Sequence, residues 1–397
     1  MTAPIARKRV NLRTPDVMTR VQAEVESHYR SETVERIRGQ GGVMRHGDTI
    51  IRLAKEFGFC YGVERAIDLA YAARKVFPDQ RIALLGEIIH NPDVNAQITA
   101  MGIEHLAAHP TEADLADLTP DDVVIVPAFG AEVATVEAVK ARGCQIVDTT
   151  CGDVMSVWKR VRQNAAEQVT SIIHGKAAHE ETRATASRAR GGDLQGQYLI
   201  VLDLAETDAV CEAIRQGCDK TVFLEHFQKA VSPGFDPDLH LQRVGVANQT
   251  TMLRSETEEI QKRIRAAIQD RDGGSSENFR YFDTICGATQ ERQDALFQLL
   301  DESLDLLLVV GGYNSSNTIH LVEIGEKKVP TWFIRNAECL HSKAEIRHFD
   351  IHSATETLSA DWLSDKRPLT VGITAGASCP NNLIEDTIQR VLDLRGE

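Results

Sequence analysis

The feature that most constrains this chain is a recurring order: a short apolar run, a loop of small or polar residues, then a helical pattern. The apolar runs include Ile82–Leu85, Val123–Val126, Ser171–Ile173, Tyr198–Leu202, Val244–Ala247, Leu306–Val310 and Thr370–Thr374. Helical patterns are expected over Val63–Lys75, Val133–Ala141, Val154–Glu167, Ser255–Ile268, Gln290–Leu300 and Asn381–Leu394. Short strands alternating with helices give an α/β architecture with mainly parallel sheets. In such sheets ligands bind beyond the carboxyl ends of the strands, where helix N-termini point. The strand-end loops carry His, Cys, Ser, Thr and Asn together, which points to one shared pocket.

A length of 397 residues is enough for two or three domains. The expected division is an N-terminal extension over 1–50 and α/β units over 51–151, 152–283 and 284–397. The Gly- and Ser-rich stretch Asp270–Glu277 reads as a boundary between subdomains. The start of the chain is basic, with Arg7, Lys8, Arg9, Arg13 and Arg20, but lacks the apolar core of a secretory signal. Asp16, Glu24 and Glu26 dilute a transit-type pattern, so this segment reads as a solvated arm. The expected location is cytoplasmic, or the plastid stroma if the N-terminus derives from a plant-type precursor. A net charge of −14 argues against nucleic acid as partner, and no apolar stretch is long enough to span a bilayer.

Eight cysteines without a secretory signal imply a reducing compartment, where thiols serve metals or catalysis more often than disulfides. Two cysteine loops resemble each other, Val147-Asp-Thr-Thr-Cys-Gly152 and Phe282-Asp-Thr-Ile-Cys-Gly287. A third, Phe57-Gly-Phe-Cys-Tyr-Gly62, also sets a cysteine before a glycine and a helix. The three form a weak internal repeat, and three similar α/β units around a centre would bring Cys60, Cys151 and Cys286 together. A disulfide would use only two of them. Their wide separation along the chain fits neither the paired spacing of structural zinc nor the compact runs of ferredoxins. Three thiolates on a [4Fe–4S] cluster leave one iron open, able to bind a substrate oxygen as open zinc sites do. A free cysteine taken singly is usually a small buried hydrophobe. Cys144, Cys211, Cys218 and Cys339 keep that ordinary reading, and Cys379 in Gly376-Ala-Ser-Cys-Pro380 is the main rival ligand.

An anionic ligand of so acidic a chain must be held locally. His90 and His179 lie in strand-end loops, and His179 adjoins Glu180 and Glu181. Asn314-Ser-Ser-Asn317 follows Gly311 and Gly312 and opens a helix, so Ser315, Ser316 and Asn317 can cradle phosphate oxygens. A plain N-cap explains the same residues equally well. Thr374-Ala-Gly-Ala-Ser378 repeats the chemistry before the last helix. One of the paired carboxylates can act as the general acid that C–O cleavage requires, and the Thr250 hydroxyl can relay its proton.

Together, Phe59-Cys-Tyr-Gly-Val-Glu-Arg-Ala-Ile67, Asp148-Thr-Thr-Cys151, His179-Glu-Glu181, Gln249-Thr-Thr251, Asn314-Ser-Ser-Asn317 and Thr374-Ala-Gly-Ala-Ser378 resemble 4-hydroxy-3-methylbut-2-enyl diphosphate reductases, the LytB/IspH family. The resemblance runs from about Leu53 to Leu394, and the extension looks like the plant and cyanobacterial branch. It implies a cloverleaf of three α/β units around a central [4Fe–4S] cluster on Cys60, Cys151 and Cys286. His90, His179, Thr250, Ser315, Ser316, Asn317 and Ser378 would bind the substrate, and Glu181 would donate the proton. The implied reaction is reductive dehydroxylation of the diphosphate to isopentenyl and dimethylallyl diphosphates, closing the non-mevalonate isoprenoid pathway. The implied electron donor is a ferredoxin- or flavodoxin-type protein. Where bacterial members carry a diphosphate-binding histidine this chain has Phe129, so that loop is assigned no phosphate contact. Two readings from other classes remain at this point: a [4Fe–4S]-dependent hydro-lyase, which moves no net electrons, and a non-catalytic zinc-binding module.

Overall fold

The computed structural model describes residues 10–397, so the basic cluster Arg7–Arg9 lies outside the described residues. The chain is α/β, with three mainly parallel sheets and one separate antiparallel hairpin, Glu345–Asp350 with Thr355–Ala360. It divides into two compact units. Among the described residues, the first holds Gln80–Gly86 and Glu104–Cys286, and the second holds residues 10–79, Glu87–Ile103 and Gly287–Glu397.

The first unit carries two four-stranded sheets. One is ordered Ile103–Leu106, Ile82–Leu85, Val123–Val126, Gln145–Asp148, and the other Phe279–Tyr281, Val244–Asn248, Thr170–His174, Tyr198–Val201. Val123–Val126 and Thr170–His174 are buried at every position. That is the expected signature of parallel strands covered on both faces, and it makes them continuous apolar runs rather than alternating ones. The second sheet packs Ile172, Leu199, Val244 and Val246 against Val210 and Ile214 of the helix Leu204–Gln216 and against Ile260 and Ile264 of the helix Arg254–Arg271. Each fully buried aliphatic side chain contributes about 1.5–3 kcal/mol of transfer free energy. The glycine-rich stretch after Arg271 does not divide subdomains. It turns that helix into the edge strand Phe279–Tyr281 of the same sheet.

The second unit carries a five-stranded sheet ordered Val43–His46, Thr49–Leu53, Leu369–Ala375, Leu306–Val310, Thr331–Ile334. Only its first pair is antiparallel. Thr49–Leu53 pairs with Leu369–Ala375, with Ile51 opposite Val371. The strand preceding Cys60 therefore belongs to a sheet built mostly from the last third of the chain. Strand partners are set by tertiary packing, which no local pattern reveals.

The expectation of a solvated arm fails for the described part of the N-terminal segment. The helices Pro15–Tyr29 and Glu32–Gly39 bury Val21, Tyr29, Val34 and Ile37. Those apolar residues are few and set among charges, so the amphipathic period is hard to see in the sequence. No helix among the described residues is long and apolar enough to cross a membrane.

Candidate active site

Each of the three large sheets presents one of the three expected cysteines beyond the carboxyl end of a strand: Cys60 after Thr49–Leu53, Cys151 after Gln145–Asp148 and Cys286 after Phe279–Tyr281. Cys60 is the N-cap residue of the helix Tyr61–Val76, and Cys151 that of Gly152–Ala166. Cys286 directly precedes the helix Gly287–Leu300. A helix N-terminus carries partial positive charge, which favours a thiolate placed there.

In the second unit the Cys60 loop is held at several points. Arg292 Nη2 donates to the Gly58 carbonyl at 2.5 Å, and Arg38 Nη2 donates to the Phe57 carbonyl at 2.7 Å. The Arg38 guanidinium also lies 4.1 Å from the Phe57 ring centre. Gly58 takes φ +82°, a left-handed conformation that glycine adopts without strain. The Cys60 N–H donates to Ala377 at 3.2 Å, which ties this loop to the one carrying Ser378.

The second unit also gathers the expected diphosphate residues. The Leu306–Val310 strand runs through Gly311 and Gly312 into Ser315, the N-cap of the helix Ser316–Glu326. A Cβ on Gly312 would lie 2.3 Å from the His90 carbonyl oxygen, so only glycine lets these segments meet. His90 Nδ1 lies 3.1 Å from a Glu87 carboxylate oxygen and 3.2 Å from Asn314 Nδ2, which together orient the ring. Ser378 Oγ donates to the His90 carbonyl at 3.0 Å, and Ser315 Oγ accepts from the Thr318 hydroxyl at 3.0 Å. Asn317 Oδ1 accepts from Ala377 N at 3.0 Å, while its Nδ2 is buried without a partner. The buried Thr374 hydroxyl likewise lacks one. An orphaned buried donor costs about 1–3 kcal/mol, so such groups call for an explanation, and a bound anion supplies one.

In the first unit the expected residues are joined in series by hydrogen bonds. His179 caps the helix Glu180–Ser187, with Nδ1 accepting from Glu181 N at 3.1 Å. Glu181 Oε1 accepts from Thr250 N at 2.6 Å, and the Thr250 carbonyl accepts from Cys286 N at 3.2 Å. Burial separates the paired acids: Glu181 is 3% exposed, whereas Glu180 is only half-buried. Thr250 meets Glu181 through its backbone rather than through the hydroxyl expected from sequence. Cys151 is anchored by its N–H to the Ala128 carbonyl at 2.8 Å. Phe129 is buried and sets its ring edgewise to His179, with centroids 6.3 Å apart.

Gln249 is the organising residue that the sequence reading passed over. It is fully buried, and its Oε1 accepts from the Thr182 hydroxyl at 2.9 Å and from Lys176 N at 3.2 Å. Its Nε2 donates to the Thr251 hydroxyl at 2.8 Å. One amide thus locks the Glu181 helix to the loop carrying Thr250. A glutamine in the middle of a strand-end loop, flanked by asparagine and two threonines, was the available signal.

The donor set fits an iron–sulfur group. None of the eight cysteines is in a disulfide, and Cys60, Cys151 and Cys286 are partly exposed, as are Cys144 and Cys218, while Cys211, Cys339 and Cys379 are buried. The rival Cys379 is fully buried, burial pushes its thiol far up, and its Sγ is turned to the Pro380 carbonyl. A thiol held protonated by an apolar setting is a poor metal ligand.

Comparison with known proteins agrees. The sequence pattern of the family described as LytB protein matches residues 51–392. The 4-hydroxy-3-methylbut-2-enyl diphosphate reductase of Thermosynechococcus vestitus is 47% identical over 378 residues, covering 94% of this chain and 92% of that one. The protein of the same name from Gloeobacter violaceus is 45% identical, covering 95% of this chain and 90% of its own. A solved structure of (E)-4-hydroxy-3-methyl-but-2-enyl diphosphate reductase, described as the terminal enzyme of the non-mevalonate pathway, superposes with a TM-score of 0.53 at 26% identity. It covers 86% of this chain and 99% of its own. The fold also matches the E-1-hydroxy-2-methyl-but-2-enyl-4-diphosphate reductase of Plasmodium falciparum, with a TM-score of 0.62 over 85% of this chain and 86% of that one. Matched along most of its length and nearly half identical to several members, the chain belongs to the LytB family.

Proposed function

We propose that this chain reduces (E)-4-hydroxy-3-methylbut-2-enyl diphosphate, releasing its hydroxyl as water to give isopentenyl and dimethylallyl diphosphates. The balance is two electrons and two protons consumed per water formed. The observation that carries the reading is the buried Glu181 carboxylate, linked through Thr250 to the backbone of Cys286. A general acid and a metal-ligating thiol are thus tied to one short stretch of chain, which is what protonation of an oxygen leaving a metal centre requires.

Cys60, Cys151 and Cys286 would hold a [4Fe–4S] cluster, and that group, when bound, supplies electrons singly and an open Lewis-acidic iron. The protein's own residues do the rest. Asn317, Ser315, Ser316 and the N-terminus of their helix receive the diphosphate, joined by His90 and His179. Ser378 spends its proton on the His90 carbonyl, so it orients that loop and turns to the diphosphate only by releasing it. Glu181 delivers a proton to the departing oxygen, held in place by the Thr250 amide. We assign the three α/β repeats boundaries near residues 51, 152 and 284, with the strand Thr49–Leu53 completing the sheet of the last repeat. The electrons come from a ferredoxin- or flavodoxin-type protein in a reducing compartment, consistent with eight cysteines outside any disulfide.

Anaerobic turnover with and without a reductant tests the reaction class. Conversion that depends on supplied electrons is the expected result. Conversion without any electron supply would instead establish a hydro-lyase.

A further inference from the structure

The first unit carries a cluster of cations on the helix that Cys151 begins. Lys159, Arg160 and Arg162 are all exposed on Gly152–Ala166, and Lys159 and Arg162 have no carboxylate partner among the described residues. Arg160 extends its guanidinium over the Phe282 ring at 4.7 Å, and Arg280 approaches the same ring at 5.9 Å. Phe282 lies in the segment that ends at Cys286. Arg243 adds an exposed fifth cation, its Nη1 donating to the Glu167 carbonyl at 3.1 Å. The acids nearby are Glu167, engaged by Arg280, Asp153 in the first helical turn, and Asp283, next to Phe282 and paired with Arg254. Met155, 43% exposed, provides an apolar contact one turn from Cys151.

This concentration of cations is out of keeping with a net charge of −14. Lys159 stands about 12 Å along the helix axis from Cys151, given a rise of ~1.5 Å per residue. The patch therefore spans the two cysteine-bearing segments of this unit, one through its helix and the other through Phe282. A basic rim around a half-buried aromatic ring and exposed thioether carbon suits a transient partner of opposite charge, steered by electrostatics and released quickly.

We propose that the Lys159–Arg160–Arg162 face, with Arg243 and Arg280, is the docking surface for an acidic one-electron carrier protein. The inference rests on the proposed reduction, which needs an electron source, and it adds where that source binds. An acidic chain repels an acidic carrier in general, so a local reversal of sign is what selects the orientation that brings the carrier's redox group to the cysteines.

The test uses the iron-loaded holoenzyme with Lys159→Glu and Arg162→Glu combined. Binding to an oxidised acidic [2Fe–2S] ferredoxin is titrated calorimetrically across ionic strengths, without turnover. Turnover is measured in parallel with that ferredoxin and with dithionite plus a viologen dye. The expected result is affinity weakened about tenfold or more with a shallower salt dependence, a matching rise in the KM for ferredoxin, and dye-driven turnover unchanged. Unaltered affinity and salt dependence in the variant would overturn the docking surface. A wild type that binds ferredoxin in this way but turns over with neither reductant would overturn the reduction and leave the surface standing.

Discussion

The Glu181 carboxyl group and the Thr250 amide meet at 2.6 Å, a short contact in a nearly dry setting. Glu181→Gln keeps an oxygen to accept that amide and removes the proton. We expect kcat to fall by about 10²–10⁴-fold with iron content and melting temperature unchanged. Steady-state kinetics on the anaerobic variant check this, and a kcat near wild type would remove Glu181 from the role of acid.

Asn317 has one satisfied end and one orphaned end. Asn317→Asp still accepts from Ala377 but replaces the free donor with a negative charge facing an anionic ligand. The KM for the diphosphate should rise at least ~10-fold, equivalent to about 1.4 kcal/mol, with a smaller effect on kcat. An unchanged KM would place the diphosphate elsewhere.

The burial that argues against Cys379 as a ligand should also govern thiol reactivity. Burial pushes the Cys211 thiol up to about 11 and Cys379 further still. At pH 8 only about a thousandth of Cys211 is thiolate, the reactive form. Brief alkylation of the apoprotein, read by mass spectrometry, should modify Cys60, Cys151 and Cys286 and leave the buried Cys211 and Cys379 intact. Loading with iron beforehand should protect the first three.

Much of this arrangement was legible in the sequence because it rests on local rules. Val133–Ala141 was expected to be helical and is, residue for residue, and the Leu306–Val310 run is the strand it appeared to be. Cys60, Cys151 and Cys286 were visible as a repeat because each precedes a helix behind a strand. What was not legible depends on distant partners. The pairing of Thr49–Leu53 with Leu369–Ala375 has no local signature, and the hairpin Glu345–Asp350 with Thr355–Ala360 was missed because neither strand is strongly apolar. Gln249 read as a polar loop residue, and its burial follows only from the Thr182 helix packing over it. The contact of the Thr250 amide with Glu181 is likewise a matter of backbone geometry, which no side-chain pattern announces.

Phe129 is buried, and its ring packs edgewise on His179. Phe129→Ala should cost about 3–5 kcal/mol of stability, as other buried aromatic truncations do. Chemical denaturation of the apoprotein measures it. A loss below 1 kcal/mol, within the range of ordinary surface substitutions, would show that the ring is not a packing element.

The central claim is that Cys60, Cys151 and Cys286 ligate one inorganic core, and iron and acid-labile sulfide analysis of anaerobically purified protein tests it most directly. About four irons and four sulfides per chain are expected, falling sharply in each of Cys60→Ser, Cys151→Ser and Cys286→Ser and unchanged in Cys379→Ser. A colourless protein carrying one zinc per chain, or a cluster that survives Cys286→Ser but not Cys379→Ser, would contradict it.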